Sequence, residues 1–320
     1  MSKHELPSKI LAAKPANDTK TLIAGRYHVE RLLGEGGMAA VYVVRDGATG
    51  KRIALKQLFQ NLAPGAGVLF EWEYRTLAGL RHPGIVEVHE YGVDQSGVYY
   101  TMELLEGQEL SNLVPMPWRA VCACLRDTAS ILGLLHARGL VHRDLSLRNL
   151  FRLPDGAIKL LDFGALAPFG EALEIVGTPP FVPPEALNRT ALDQRSDLYA
   201  LGALGYWLVS GVHAFPAKSL GDLPRLWERE SPKLAAVFKL LKGCEDSVPK
   251  EFESLLLALL RLDPSERPSN TAAVVDRLNS LAELDRKAGE AAVQGFLDSN
   301  VFVGRVRERE RLEQLLSAGE

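Results

Sequence analysis

The feature that most restricts what this chain can fold into is a change of period near residue 107. Before it, "RYHVERLL" (26–33), "AAVYVVRD" (39–46), "KRIALKQL" (51–58), "IVEVHEYG" (85–92) and "GVYYTMEL" (97–104) are short β-rich runs punctuated by glycines, and they read as strands. One segment with helical spacing interrupts them, "VLFEWEYRTLAGL" (68–80), with Leu69, Trp72, Leu77 and Leu80 as its apolar positions. After Gly107 the spacing becomes helical. "WRAVCACLRDTASILGLLHARG" (118–139) predicts a long helix stopped by Gly139, and further helices are expected near 195–210, 220–230, 249–261 and 270–287. The expected fold class is therefore α+β: a β-rich lobe with one helix over 26–105, then a mainly helical lobe over 106–285. A cleft between two such lobes is a natural place for a ligand.

The 320 residues, 47% hydrophobic and 24% charged, are enough for two lobes. Net charge is −3, so no global basic field points to nucleic acid or to a membrane surface. No apolar run reaches the about 18 residues of a membrane-spanning helix. Cys122, Cys124 and Cys244 are the only cysteines. An odd count with two in one apolar helical stretch predicts reduced thiols in a cytoplasmic protein. Residues 1–25 show no sustained period and read as a mobile leader.

Four motifs carry chemistry. "LGEGGMAAVY" (33–42) sets Gly34, Gly36 and Gly37 between two strand patterns, where side-chain-free backbone can approach phosphates. The strand–loop–strand setting argues against a dinucleotide-binding fold, and the Lys-Ser/Thr of a P-loop is missing. "IALK" (53–56) ends in Lys56 on an apolar strand. It is either a solvated edge lysine or a lysine aimed at phosphates, in which case it needs a carboxylate such as Glu71 or Glu73. "LLDFGA" (160–165) places Asp162, and "VHRDLSLRNLF" (141–151) places Asn149 five residues after Asp144, where hard oxygens can serve a divalent cation.

Taken in order and spacing, these elements resemble the protein kinase catalytic domain from about Arg26 to Leu284. The matching positions are the glycine loop at 34–39, Val41, Ala54, Lys56, Glu73, His142-Arg143-Asp144, Asn149, Asp162-Phe163-Gly164, "PPE" (183–185), Asp197 with Gly202, and Arg267. "GEGGMAAVY" and "RSDLYALGALGYWLVSG" are similar to the bacterial Ser/Thr branch. The resemblance implies transfer of the γ-phosphate of ATP to a protein hydroxyl, with Mg2+, or Mn2+ in its place. By position, Lys56 holds the α- and β-phosphates and Glu73 orients it. Asp144 accepts the substrate hydroxyl proton, and Asn149 and Asp162 hold the metal. Leu33, Gly34, Gly36, Val41 and Ala54 cover the nucleotide, Met102 is the gatekeeper, Glu103 to Leu105 form the hinge, and Glu109 reaches the ribose. Glu185 with Arg267, and Asp197, are scaffold.

Four departures matter, the first being "PPE" (183–185) in place of Ala-Pro-Glu, with Glu185 retained. Ser146 stands where Ser/Thr kinases usually carry Lys, and Arg148 is positioned to supply that charge from the same loop. Ala39 replaces the third loop glycine. "VGTPPF" (176–181) argues for Ser/Thr acceptors, with the Thr178 hydroxyl near Asp144, while tyrosine stays open. "ALAPFGEALEIV" (165–176) has no Ser, Thr or Tyr, so Arg143 lacks an activation-loop phosphate, and Glu171 and Glu174 are candidates for a standing negative charge. The competing reading is a pseudokinase, a nucleotide-binding scaffold with little phosphotransfer. Residues 286–320 differ in kind. "FVGRVRERERLEQLL" (302–316) resembles the opening of AAA- or STAND-type ATPase modules, which implies a regulatory module beyond Glu320. The alternative is an amphipathic helix packed on the preceding domain.

Overall fold

A computed structural model of the chain describes residues 22–284, apart from 61, 63–64, 96, 172–173, 230–231 and 233–247. Residues 1–21 of the leader, Cys244 and the whole 286–320 segment lie outside the described residues. The chain divides into two compact units: residues up to Gly79 with Val86–Leu105, and Leu80–Ile85 with Glu106 onward.

The first unit is a six-stranded antiparallel sheet of β1 (Leu22–Ile23), β2 (Tyr27–Glu35), β3 (Ala39–Asp46), β4 (Arg52–Leu58), β5 (Val88–Asp94) and β6 (Gly97–Met102), in the order β1-β2-β3-β4-β6-β5. Leu22–Ile23, read from sequence as leader, form an edge strand paired with Tyr27 and His28. Alternation of side chains along each strand divides the sheet into two faces. One buries Ile23, Tyr27, Val44, Leu55 and Tyr99 as a core cluster. At the sheet end Arg26 grips Asp46 at 2.6 and 2.9 Å and Glu90 at 2.7 Å. The other face carries α1 (Ala66–Ala78). The helix buries Phe70, Glu73 and Leu77, while Leu69 is 56% exposed. Of the apolar positions expected from spacing, Leu77 and Leu80 are buried and Trp72 is half-buried, while Leu69 turns outward and Phe70 and Glu73 turn in.

The second unit is built on α2 (Trp118–His136), whose buried face includes Val121, Leu125, Leu132 and both Cys122 and Cys124. It packs against α4 (Gln194–Ser210) and α7 (Thr271–Ala282). Between them in sequence come α3 (Pro184–Leu187), α5 (Leu223–Arg229) and α6 (Lys250–Leu259). Asp193 caps α4 by accepting from Arg195 N, and Asn270 caps α7 by accepting from Ala273 N, which fixes where each helix starts. The helix expected over 270–287 stops at Ala282, because Glu283 turns left-handed with φ 53°. α4 comes so close to α6 that a Cβ at Gly202 would sit 2.6 Å from Leu259 Cβ. Short strands complete the unit: β7 (Gln108–Glu109), β9 (Leu150–Arg152) and β10 (Ile158–Leu160) form one sheet. β8 (Leu140–Val141) pairs with β11 (Ala167–Pro168), and β12 (Gly170–Glu171) pairs with β13 (Ala191–Leu192). The Leu80–Ile85 segment belongs here because Ile85 bridges to Leu160 and Lys159 Nζ donates to Ile85 O.

Candidate active site

In the first unit, β4 is an inner strand, so Lys56 is not a solvated edge lysine. It lies opposite Val41 on β3 and Tyr100 on β6. Opposed residues of antiparallel strands share a face, so Val41, Ala54, Lys56, Tyr100 and Met102 project on one side, with Met102 opposite Ala54. The Lys56 ammonium meets both oxygens of Glu73, at 2.8 and 3.0 Å, with side-chain exposures of 15% and 3%. Glu71 instead pairs on the surface with Arg75 at 2.6 Å.

Gly34 lies opposite Val41, and Leu33 is half-buried beside it. Gly36 N donates to Ala39 O at 2.8 Å, and a Cβ built at Gly37 meets nothing within 4 Å. The fold itself does not fill that space, which suits a ligand approaching the backbone. Ala39 begins β3 and has no left-handed backbone, so the missing third glycine carries no strain. Past Met102, Glu103 and Glu87 are joined twice. Glu103 N donates to Glu87 O at 2.9 Å and Glu87 N to Glu103 Oε1 at 2.8 Å. Half-buried Leu105 closes this unit, and Glu109 opens the next, accepting from Ser111 Oγ at 3.1 Å.

In the second unit Asp144 is tied on both oxygens. Oδ1 accepts from Thr178 N and Thr178 Oγ1, each at 3.1 Å, and Oδ2 from Asn149 Nδ2 at 3.2 Å. Asn149 Nδ2 also donates to Asp144 O at 2.8 Å, which turns the amide oxygen away from Asp144. Thr178 reaches Asp144 because Gly177, at φ 114°, precedes it; a Cβ there would lie 2.8 Å from Arg143 O. Arg148 is exposed and touches Thr178 Oγ1 at a long 3.4 Å. Ser146 is 3% exposed, and its Oγ has no partner among the described residues. Asp162 accepts from Gly164 N at 3.1 Å. The Phe163 ring is buried edge-on against His142, 5.4 Å between centroids.

The donor chemistry fits magnesium. Among the described residues no three His, Cys, Asp or Glu side chains gather as a metal cage. Mg2+ needs none, since it is commonly held by one or two protein oxygens together with nucleotide phosphates. The Asn149 amide and the Asp162 carboxylate offer oxygens of that kind.

The loop around Asp144 is held from behind. Asp197 accepts from His142 N at 2.9 Å and Arg143 N at 3.0 Å, and its Oδ2 lies 2.8 Å from His136 Nε2. Burial pushes the Asp197 carboxyl up, but the His136 ring and the loop amides more than offset this, so it titrates below the ordinary carboxylate range. A depressed folded value means this stabilisation is complete above about pH 4, the unfolded value, and is lost as pH falls toward the folded one. Stability measured by denaturant midpoint is therefore expected to drop from pH 6 to pH 3, with a shallower drop in Asp197→Asn.

The described parts of this segment, 165–171 and 174–176, are held in place without a phosphate acceptor. β11 pairs with β8, Phe169 N donates to Gly139 O, and β12 pairs with β13. Arg143 Nη2 donates to Glu174 O at 2.7 Å. The anchor is thus a main-chain carbonyl, and the carboxylates of Glu171 and Glu174 are exposed. The Glu174 charge also acts on Arg143 through space, favouring the charged guanidinium against its burial, so carbonyl and carboxylate both face it. Replacing both by glutamine keeps the carbonyl and is expected to change activity by less than about two-fold, as for other exposed charges; a larger loss in a kinase assay would restore the charge as the anchor.

Two partners had no sequence signal. His136 meets Asp197 across 61 residues, and Tyr100 donates to Glu73 across 27. No local spacing reports contacts at that range. Among the described residues no helix is long and apolar enough to cross a membrane.

Comparison with known proteins agrees with this geometry. Residues 27–278 match the family described as "Protein kinase domain". The chain is 34% identical over 281 residues to the DNA damage-responsive serine/threonine-protein kinase RqkA of Deinococcus radiodurans, covering 83% of this chain and 41% of that protein. It is 32% identical over 274 residues to serine/threonine-protein kinase PknL of Mycobacterium tuberculosis, covering 82% and 67%. It is 30% identical over 285 residues to serine/threonine-protein kinase pkn2 of Myxococcus xanthus, covering 80% and 32%. The chain thus spans less than half the length of two of these three relatives. With a buried lysine–glutamate pair in one unit, a braced Asp144 in the other and a family match over most of its length, the chain belongs to the protein kinase family.

Proposed function

We propose that this chain transfers the γ-phosphate of ATP to serine or threonine hydroxyls of protein substrates in bacterial signalling. The observation that carries this reading is the bracing of Asp144 by Thr178 and Asn149. A carboxylate fixed on both oxygens can receive a substrate hydroxyl with little reorganisation. Lys56, oriented by Glu73, takes the α- and β-phosphates. Asn149 and Asp162 hold the magnesium that accompanies them, neutralising charge as it develops on the phosphoryl oxygens. Val41, Ala54, Met102 and the Glu103–Leu105 backbone receive the adenine, and Glu109 the ribose. Arg148, beside Thr178, supplies the positive charge that the buried Ser146 cannot. The need for ATP and two buried free thiols support a cytoplasmic location for this part of the chain. The resemblance of 302–316 to the opening of an ATPase module adds a regulatory module of that class to this proposal.

Incubation with γ-labelled ATP and magnesium, followed by phosphoamino-acid analysis, tests the reading. Phosphoserine or phosphothreonine is expected, and Arg148→Gln is expected to lower kcat about a hundred- to a thousand-fold, as for loss of one charge-stabilising donor. Phosphotyrosine alone rejects the acceptor assignment, and an unchanged Arg148→Gln rate rejects the charge assignment. Background incorporation by the wild type favours a nucleotide-binding scaffold.

A further inference from the structure

The inward face of α1 is not an aliphatic stripe. Three of its residues, Phe70, Glu73 and Tyr74, meet a single side chain, that of Tyr100 on β6. The Phe70 ring lies 5.0 Å from the Tyr100 ring and the Tyr74 ring 5.8 Å. Tyr74 is itself fixed, 5.3 Å from the Tyr91 ring and with its hydroxyl donating to His89 O at 3.1 Å. Tyr100 is fully buried and directly opposite Lys56 in the sheet. Its hydroxyl donates to Glu73 Oε1 at 3.2 Å, the oxygen that also accepts from Lys56 at 2.8 Å. The Lys56 ammonium lies 5.8 Å from the Tyr100 ring and 5.9 Å from the Phe70 ring.

These contacts divide two tasks. The ring, packed between Phe70 and Tyr74, sets the rotation of α1 about its axis. The hydroxyl sets the carboxylate of Glu73. A donor carried on a rigid ring narrows the freedom of a buried carboxylate to turn, without adding charge. The geometry points to Tyr100 as a positioning residue for nucleotide binding: it holds Glu73 so that the Lys56 ammonium is presented in one place to a ligand's phosphates. This rests on the proposed role of Lys56 as the phosphate-binding lysine and adds a residue that acts through Glu73 without touching the nucleotide.

Tyr100→Phe removes one oxygen and keeps the ring packing. Titration calorimetry with Mg-ATP is expected to show affinity about three- to ten-fold weaker, as the competent Lys56–Glu73 arrangement becomes less populated. Adenosine, which has no phosphates, is expected to bind the variant and the wild type alike; a merely structural loss would weaken both ligands equally. In a Glu73→Ala background the same substitution is expected to cost nothing further. An unchanged Mg-ATP affinity, equal weakening of adenosine, or an undiminished effect without Glu73 would each overturn the assignment. If the wild type binds neither ligand, the kinase reading itself fails. The positioning role is then read by hydrogen exchange of the α1 amides, expected to be faster in Tyr100→Phe, and equal exchange would overturn it.

Discussion

Asp144→Asn is expected to lower kcat for phosphoryl transfer by about a hundred- to ten-thousand-fold, the range of a positioned general base. Mg-ATP affinity is expected to change far less, because Lys56 and Glu73 belong to the other unit. Part of the loss comes from geometry. Asp144 Oδ2 now accepts from Asn149 Nδ2 at 3.2 Å. An amide nitrogen at that position would set two donors against each other, while an amide oxygen at the Oδ1 position could still accept from Thr178. The variant thus removes the base and also disturbs Asn149, the proposed metal ligand. Steady-state kinetics beside an Mg-ATP titration separates the two. A kcat within about ten-fold of wild type would mean that Asp144 is not the base.

The largest effect on stability is expected at the pair Glu185 and Arg267. The Arg267 side chain is fully buried, and each of its five N–H groups has an acceptor. Nη1 donates to Glu185 Oε1 at 2.6 Å and to Arg195 O, and Nη2 to Glu185 Oε2 at 2.9 Å and to Leu262 O. Nε donates to Arg261 O. The guanidinium also lies 5.0 Å from the Tyr199 ring on α4. It therefore joins α3, α4 and the turn before α7 at one point. Arg267→Ala leaves a buried carboxylate and three carbonyls without their donor, a loss of about 3–5 kcal/mol. For a domain of this size that lowers Tm by roughly 10 °C. Replacing the pair together, Arg267→Met with Glu185→Leu, is expected to recover part of the loss because no charge is then stranded. A fall of under about 1 kcal/mol for Arg267→Ala, measured by denaturant unfolding, would show that the pair is not what joins these elements.

How legible the site was from sequence depended on distance along the chain. His142, Arg143, Asp144 and Asn149 fall within eight consecutive positions, so residue type and spacing alone marked them. The order of Lys56, Glu73 and Asp162 around that loop supplied the rest through family resemblance. Hydrophobic spacing located α1 to within two residues and correctly marked Leu77 and Leu80 as buried, but misplaced Leu69. Leu69 faces outward because the helix is rotated to bring Glu73 to Lys56. The end of α7 was missed because Glu283 adopts a left-handed turn without glycine, which residue type does not announce.

By itself the sequence determined the α+β class, the strand-to-helix change near residue 107, and the identity of the polar residues with chemical potential. Each of these is set by local period or by short spacing. Only the tertiary structure decided that Arg143 is anchored on the Glu174 carbonyl, that His136 backs Asp197, and that Tyr100 holds Glu73. Those pairs are 31, 61 and 27 residues apart. Which buried donor meets which acceptor at such separations is settled by packing, since a polar group taken out of water must find its partner among whatever the fold brings beside it.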